Sequence, residues 1–240
     1  MSWPTDPAMI PDICRMQILL VAATTFEIQP TIDALGSHPG FGPHRLEPLV
    51  TGVGGIATAW SLMRQIGSNR PDLIIQAGIA GSLRDRPPGE VLLVGEDQPA
   101  DIGVWEEDRF KSIFDMQLAD ANIAPYTNGL LVNPYRRLMT LTGLEIVAGL
   151  TVNEITTSAQ RISWYQQNTP AVVESMEGAP LHYIGLQEHI PFLQLRSVSN
   201  AVGVRDKRRW DIRGAIASLN KRLIALLEDP ALQKEVLLEP

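Results

Sequence analysis

Three short segments of this 240-residue chain end an apolar run in polar or acidic side chains, the pattern expected where strands deliver residues to a pocket. The first is Ala22-Ala23-Thr24-Thr25-Phe26-Glu27, which sets a carboxylate in the first turn of an expected helix. The helix dipole favours the ionised form there, and an ionised carboxylate at a pocket edge can act as a general base toward water. A surface Glu that only complements the dipole is the alternative. The second is Val173-Glu174-Ser175-Met176-Glu177-Gly178-Ala179. Glu177 can accept hydrogen bonds from both hydroxyls of a ribose while Met176 packs against the sugar face; Glu177 can also be a plain helix-start residue. The third is Leu195-Arg196-Ser197-Val198-Ser199-Asn200, followed by Gly203, Arg205 and Asp206. Asn200 offers one acceptor and two donors, which suits a 6-oxopurine leaving with its imidazole nitrogen protonated. A turn-forming Asn ahead of Gly203 is the competing reading.

These segments need strands to position them, and the hydropathy pattern supplies the strands. Residues 17–23 form a short, almost uniformly apolar run, as in a strand buried on both faces. Further strands are expected over 46–51, 72–77, 90–95, 144–151, 171–174 and 191–199. Helices are expected over 26–35, 56–66, 159–166, 178–188 and 212–227, with Thr24 or Thr25 capping the first. Residues 96–143 read as an irregular insertion with one helix. Residues 1–15 read as a Pro-containing N-terminal extension, leaving 16–240 as one domain. Strands alternating with helices predict an α/β fold, with a mostly parallel central sheet flanked by helices. Ligands of such sheets bind at the carboxyl ends of the strands, where the three segments fall.

A formal net charge of −7 argues against a nucleic-acid partner, because a phosphate backbone would be repelled. Cys14 is the single cysteine, which permits no intrachain disulfide and fits a reducing compartment. No run approaches the ~20 apolar residues of a membrane helix, and no signal peptide is evident, so a cytoplasmic protein is expected. His38, His44, His182 and His189 lack a paired ligand spacing, and neither metal nor cofactor is expected.

Taken together, the three segments resemble the nucleoside phosphorylase and nucleosidase family over about residues 16–228. Glu27 falls on the water-activating glutamate of its methylthioadenosine/S-adenosylhomocysteine nucleosidases. Met176-Glu177 resembles the family's ribose-binding pair, and Arg196 falls on the arginine of its Arg-x-x-Ser-Asp segment. Gly52-Val53-Gly54 and Ala77-Gly78-Ile79-Ala80-Gly81 resemble its two glycine-rich turns. The resemblance implies a nucleoside-phosphorylase-like fold and a small nucleoside substrate. It also implies a homo-oligomer, with Glu27, Arg196 and Asn200 as catalytic residues. Met176, Glu177, Gly78, Ile79, Ser158 and Gln160 would be substrate contacts. Adenine-specific members carry an Asp where this chain has Asn200, and an Asn cannot donate that acid's proton. The strings Thr151-Val152-Asn153-Glu154, Thr157-Ser158, Ala100-Asp101-Ile102-Gly103 and Ser197 to Lys207 are similar to the futalosine hydrolase branch. That branch releases hypoxanthine from futalosine in menaquinone biosynthesis. Two departures stand out: Pro180 where a small residue is usual, and Ile79 where adenine nucleosidases have a small hydroxyl residue. Futalosine carries an aryl carboxylate beyond the ribose. Trp105, Phe110 and Phe114 are candidates for its apolar wall, with Arg109 or Arg136 as its cation.

Other readings are weaker. Gly52-x-Gly54-x-x-Ala57 spells a dinucleotide fingerprint, but it follows the second strand, and Asp72 begins a strand instead of ending one. A methylthioadenosine nucleosidase is disfavoured by Asn200. A purine nucleoside phosphorylase would need cations to hold phosphate, which only Arg64, Arg84 or Arg86 could bring from elsewhere. A non-catalytic nucleoside-binding protein would have no need of Glu27.

Overall fold

The computed structural model describes residues 16–36 and 44–238. The expected extension over 1–15, with Cys14, lies outside the described residues, as does His38. The first apolar run forms β1 (Gln17–Ala22), whose residues are buried from Ile18 onward on both alternating faces. It pairs in parallel with β2 (Arg45–Val50) on one side and with β3 (Leu73–Ser82) on the other. β3 continues in parallel onto β10 (Phe192–Ala201), and β10 runs antiparallel to β4 (Val91–Pro99). β4 pairs in parallel with β8 (Ile146–Thr151), and β8 in parallel with β9 (Val173–Ser175). β9 then returns antiparallel to β3 through Gly81 and Ser82. Five strands therefore close into a ring, with β1 and β2 leaving it as a wing. The short β7 (Leu131–Val132) adds antiparallel to β4. The sheet is mixed, with parallel pairs in the majority.

Helices cover this sheet. α1 (Thr25–Gly36) packs on α6 (Ile212–Leu227), and α2 (Gly55–Ser68) packs on α5 (Gly178–Gln187). α5 and α6 both lie against β3, β4 and β10. The apolar stripe of α6, with Ala215, Leu219, Leu223 and Leu226 buried, follows the helical spacing of the sequence. No helix among the described residues is long and apolar enough to cross a membrane.

Three expectations change. Ala77-Gly78-Ile79-Ala80-Gly81 is not a turn but the continuation of β3, paired with Ala77↔Leu195 through Gly81↔Asn200. Glycine serves there for close packing: a Cβ at Gly78 would lie 2.5 Å from Arg196 Nη1 and 3.0 Å from Glu27 Oε1. The insertion is more regular than its periodicity suggests. β5 (Gly103–Glu106) and β6 (Arg109–Ser112) form a hairpin, and α3 (Arg136–Leu141) follows. Its turn, Glu107-Asp108, has both residues at positive φ, a conformation usually signalled by Asn-Gly. A short α7 (Ala231–Leu238) packs on α3.

Candidate active site

The fold leaves one edge of β3 open where it matters. β1 is bonded to β3 as far as Val21 and Gln76, and β9 takes over at Gly81. Between these points the strands diverge, and the N–H of Ile79 has no strand to bond. Glu27 fills the gap: its Oε1 accepts from Ile79 N at 3.1 Å. Its Oε2 accepts from Thr24 N at 3.0 Å and from Thr24 Oγ1 at 2.7 Å. The contact to Thr24 N is half of a capping box, with Glu27 the third residue of the helix. Glu27 therefore helps to cap its own helix, and the same carboxylate also lines a cavity of about 250 Å³. Glu27 is only 5% exposed.

Asn220, in the middle of α6, holds this helix start from behind. Its Oδ1 accepts from Thr31 N (3.0 Å) and Thr31 Oγ1 (2.6 Å), and its Nδ2 donates to the carbonyl of Glu27 (2.8 Å). A buried amide that bridges two helices in this way fixes the backbone under Glu27.

Glu177, the residue preceding α5, lines the same cavity. Its Oε1 accepts from Gly54 N at 3.0 Å, and its Oε2 lies 3.6 Å from Arg196 Nη1. Arg196 is 2% exposed and donates through Nη2 to Gln76 Oε1 at 2.9 Å; Gln76 in turn donates to the Glu177 carbonyl. The arginine thus stands behind the pocket wall, neutralising Glu177 and fixing its direction. Gly54, at φ 96°, offers its N–H to this carboxylate rather than to a phosphate.

Asn200 reaches the cavity through a bulge in β10, where the register with β3 shifts between Val198 and Asn200. A bulge re-aims a side chain, which strict alternation would not do. Ser199, the extra residue, is buried, donating 3.2 Å to the carbonyl of Ala80 and 2.7 Å to Asn200 Oδ1. Ile79 and Met176 also line the cavity. Glu27, Ile79, Met176, Glu177 and Asn200 are therefore brought together, with Gly78 and Arg196 directly behind them.

Ser158 and Gln160 do not join them. Both line a separate cavity of about 420 Å³ beside Trp105 and Asp108. Ser158 caps α4 (Ala159–Asn168) by accepting from Arg161 N, and Gln160 donates to Asp108 Oδ1 at 2.8 Å. The proposed aryl wall is also absent from the main cavity. Trp105 and Phe110 pack with Trp164, tying the β5–β6 hairpin to α4, and Phe114 stacks on Tyr126. Neither Arg109 nor Arg136 lines it.

The sequence reading missed Glu174, a buried carboxylate on the same wall. Burial raises its carboxyl pKa; its Oε1 accepts from Thr156 N at 3.1 Å, and its Oε2 has no hydrogen-bond partner. Strand periodicity is a usable signal here, since residues two apart on a strand share a face and Met176 faces the cavity. Phe26, Val53, Ile155, Val204, Arg205 and Trp210 also line the cavity. The three arginines considered for phosphate are engaged elsewhere. Arg84 donates to the carbonyls of Gln166, Thr169 and Ala171, Arg86 pairs with Glu90 and Glu145, and Arg64 lies over Trp60.

Residues 18–229 match the family model described as the phosphorylase superfamily. The chain belongs to that family. Among curated members of the superfamily, a futalosine hydrolase of Acidothermus cellulolyticus is 32% identical over 88% of this chain and 89% of its own length. A futalosine hydrolase of Streptomyces coelicolor is 32% identical over 76% of this chain and 80% of its own. The native structure of futalosine hydrolase from Helicobacter pylori superposes with a TM-score of 0.74 at 15% identity, covering 89% of this chain and 97% of that one. The fold accommodates both of the residues singled out as departures from the family pattern. Pro180 stands in the first turn of α5, where backbone N–H groups have no intrahelical partner, and packs against Gly55. Ile79 contributes its backbone N–H to Glu27, a contact that needs no hydroxyl side chain.

Proposed function

We propose that this chain hydrolyses the N-glycosidic bond of futalosine and releases hypoxanthine. The observation that carries the reading is the convergence of Glu27, Glu177 and Asn200 on one cavity, in a chain whose curated relatives are futalosine hydrolases. Glu27 orients a water and takes its proton as oxygen bonds to the anomeric carbon. The electron pair of the breaking C–N bond leaves with the base. Glu177 accepts from the ribose hydroxyls and favours positive charge on the sugar, while Met176 packs on the sugar face. Asn200 meets the departing 6-oxopurine with a donor and an acceptor. Each well-placed group contributes roughly a hundredfold or more.

A phosphorylase would need cations near Glu27, and Arg64, Arg84 and Arg86 are spent on other partners. A binding protein without catalysis gives no reason for Glu27 to be buried in the same cavity as Glu177. We further propose a homo-oligomer. Ile56 is 87% exposed on α2 and borders an apolar groove with Ala59, Pro180 and Tyr183, which a second copy would cover. The test is base release from futalosine, inosine and methylthioadenosine, each with and without phosphate. Hypoxanthine from futalosine, independent of phosphate, supports the hydrolase. A requirement for phosphate makes the chain a phosphorylase, and preferential adenine release from methylthioadenosine overturns the role of Asn200.

A further inference from the structure

Val204, Arg205 and Trp210, with Phe26 from α1, line the cavity but have no part in the chemistry described above. Arg205 is the only basic residue among the described residues that line the cavity. Its guanidinium carbon stands 5.6 Å from the centre of the Trp210 indole, within cation–π range. The indole is fixed in turn, because Trp210 Nε1 donates to the carbonyl of Val204 at 2.7 Å. Arg205 is exposed, and the nearest acid in sequence, Asp206, is taken by Arg208 through contacts of 2.8 to 3.2 Å. The result is an exposed cation beside an aromatic ring, in the lining of a pocket in an acidic protein. Phe26, 54% exposed, adds an apolar surface to the same cavity.

We propose that Arg205, in cation–π contact with Trp210, receives the carboxylate of the aryl group that the substrate carries beyond its ribose, with Phe26 and Trp210 flanking the ring. The inference rests on the reaction proposed above. A planar guanidinium binds a carboxylate through two parallel N–H bonds, and the cation–π contact with Trp210 restrains where that fork lies. The aromatics first considered for this role, Trp105, Phe110 and Phe114, are committed to packing outside the cavity.

The test compares futalosine with inosine, which lacks the aryl carboxylate, on wild type, Arg205→Gln and Arg205→Lys. Binding is measured by calorimetry and hypoxanthine release by absorbance. Arg205→Gln is expected to lower kcat/KM for futalosine by roughly 30-fold or more, mainly through KM, and to leave inosine within about twofold. Arg205→Lys should recover part of the loss, since it keeps the charge without the fork. Raising salt should raise KM for futalosine in wild type and much less in Arg205→Gln. Equal losses on both substrates would mean that Arg205 only supports the loop, and would overturn the inference, as would unchanged futalosine kinetics. A wild-type protein that binds futalosine tightly but releases no hypoxanthine would refute the proposed reaction and leave the carboxylate site to be judged by binding to Arg205→Gln. Loss of phosphate-dependent turnover in Arg205→Gln would reassign the arginine to phosphate.

Discussion

Replacing Glu27 by Gln separates the two jobs that the structure gives this carboxylate. Three donors converge on it: Thr24 N and Thr24 Oγ1 on one oxygen, and Ile79 N on the other. A glutamine can keep its oxygen on the Thr24 pair, but its NH2 then faces the N–H of Ile79. One charge-assisted contact is lost and a donor is left against a donor, which costs about 1–3 kcal/mol. For a chain of this size that lowers Tm by about 2–12 °C. Even from a total stability of only about 5 kcal/mol, a loss of 3 kcal/mol leaves a folded-to-unfolded ratio of about 30, so unfolding removes only a few per cent of the enzyme. Loss of a general base lowers turnover by about 10²–10⁴, equivalent to roughly 3–5 kcal/mol of barrier. The two effects are therefore well resolved. Hypoxanthine release under saturating substrate and a thermal melt should show a modest Tm shift with at least a hundredfold loss of turnover. A folded Glu27→Gln protein within tenfold of wild-type turnover would show that Glu27 is a helix cap and nothing more.

Four further outcomes follow from the geometry. Asp97 and His182 are fully buried around Gln194; burial pushes the Asp97 carboxyl up to about 6 and the His182 imidazole down to about 4. The Asp97 contribution is full below about pH 4 and lost as pH rises through 6, whereas that of His182 is full above about 6.5 and lost as pH falls through 4, each about 3 kcal/mol. They oppose one another, so Asp97→Asn should make urea stability fall more steeply between pH 6.5 and 4 than in wild type; an unchanged slope would count against the burial argument. Gly178→Ala would set a methyl 2.1 Å from Asp97 Oδ2 and 2.3 Å from Gln194 Nε2, and since it starts the helix after Glu177, it should cost about 1–3 kcal/mol and weaken substrate binding; a melt and KM determination check both. Asn220→Leu orphans Thr31 and the Glu27 carbonyl, and should cost at least about 2 kcal/mol with a fall in kcat, read by denaturation and turnover. Asn200→Asp supplies a carboxyl at the base end and should raise the methylthioadenosine-to-futalosine rate ratio at acidic pH; a ratio unchanged from wild type speaks against Asn200 as base reader.

The sequence by itself determined most of the fold and the principal residues of the candidate site. Uniform apolar runs such as Ile18 to Ala22 and Leu73 to Ile75 are strands because both of their faces are buried, and the carboxyl ends of such strands are where polar residues gather. That local logic located Glu27, Glu177, Arg196 and Asn200. The family resemblance implied Ser158 and Gln160 as substrate contacts, and the structure sets both in a separate cavity, because likeness of short strings does not say which way side chains face. It read the Gly78 segment as a turn, because glycine spelling cannot distinguish flexibility from the lack of room beneath Arg196. Only the tertiary structure decided that β1 and β9 part company along β3 and leave the Ile79 N–H for Glu27. Only it set Asn220, 193 residues away, under the Glu27 carbonyl. It alone brought Arg205 beside Trp210 in the lining of the cavity. Periodicity records what each residue faces on average, core or water. Which strand ends diverge, and which distant polar groups fill the gap, depends on contacts between segments that no local pattern encodes.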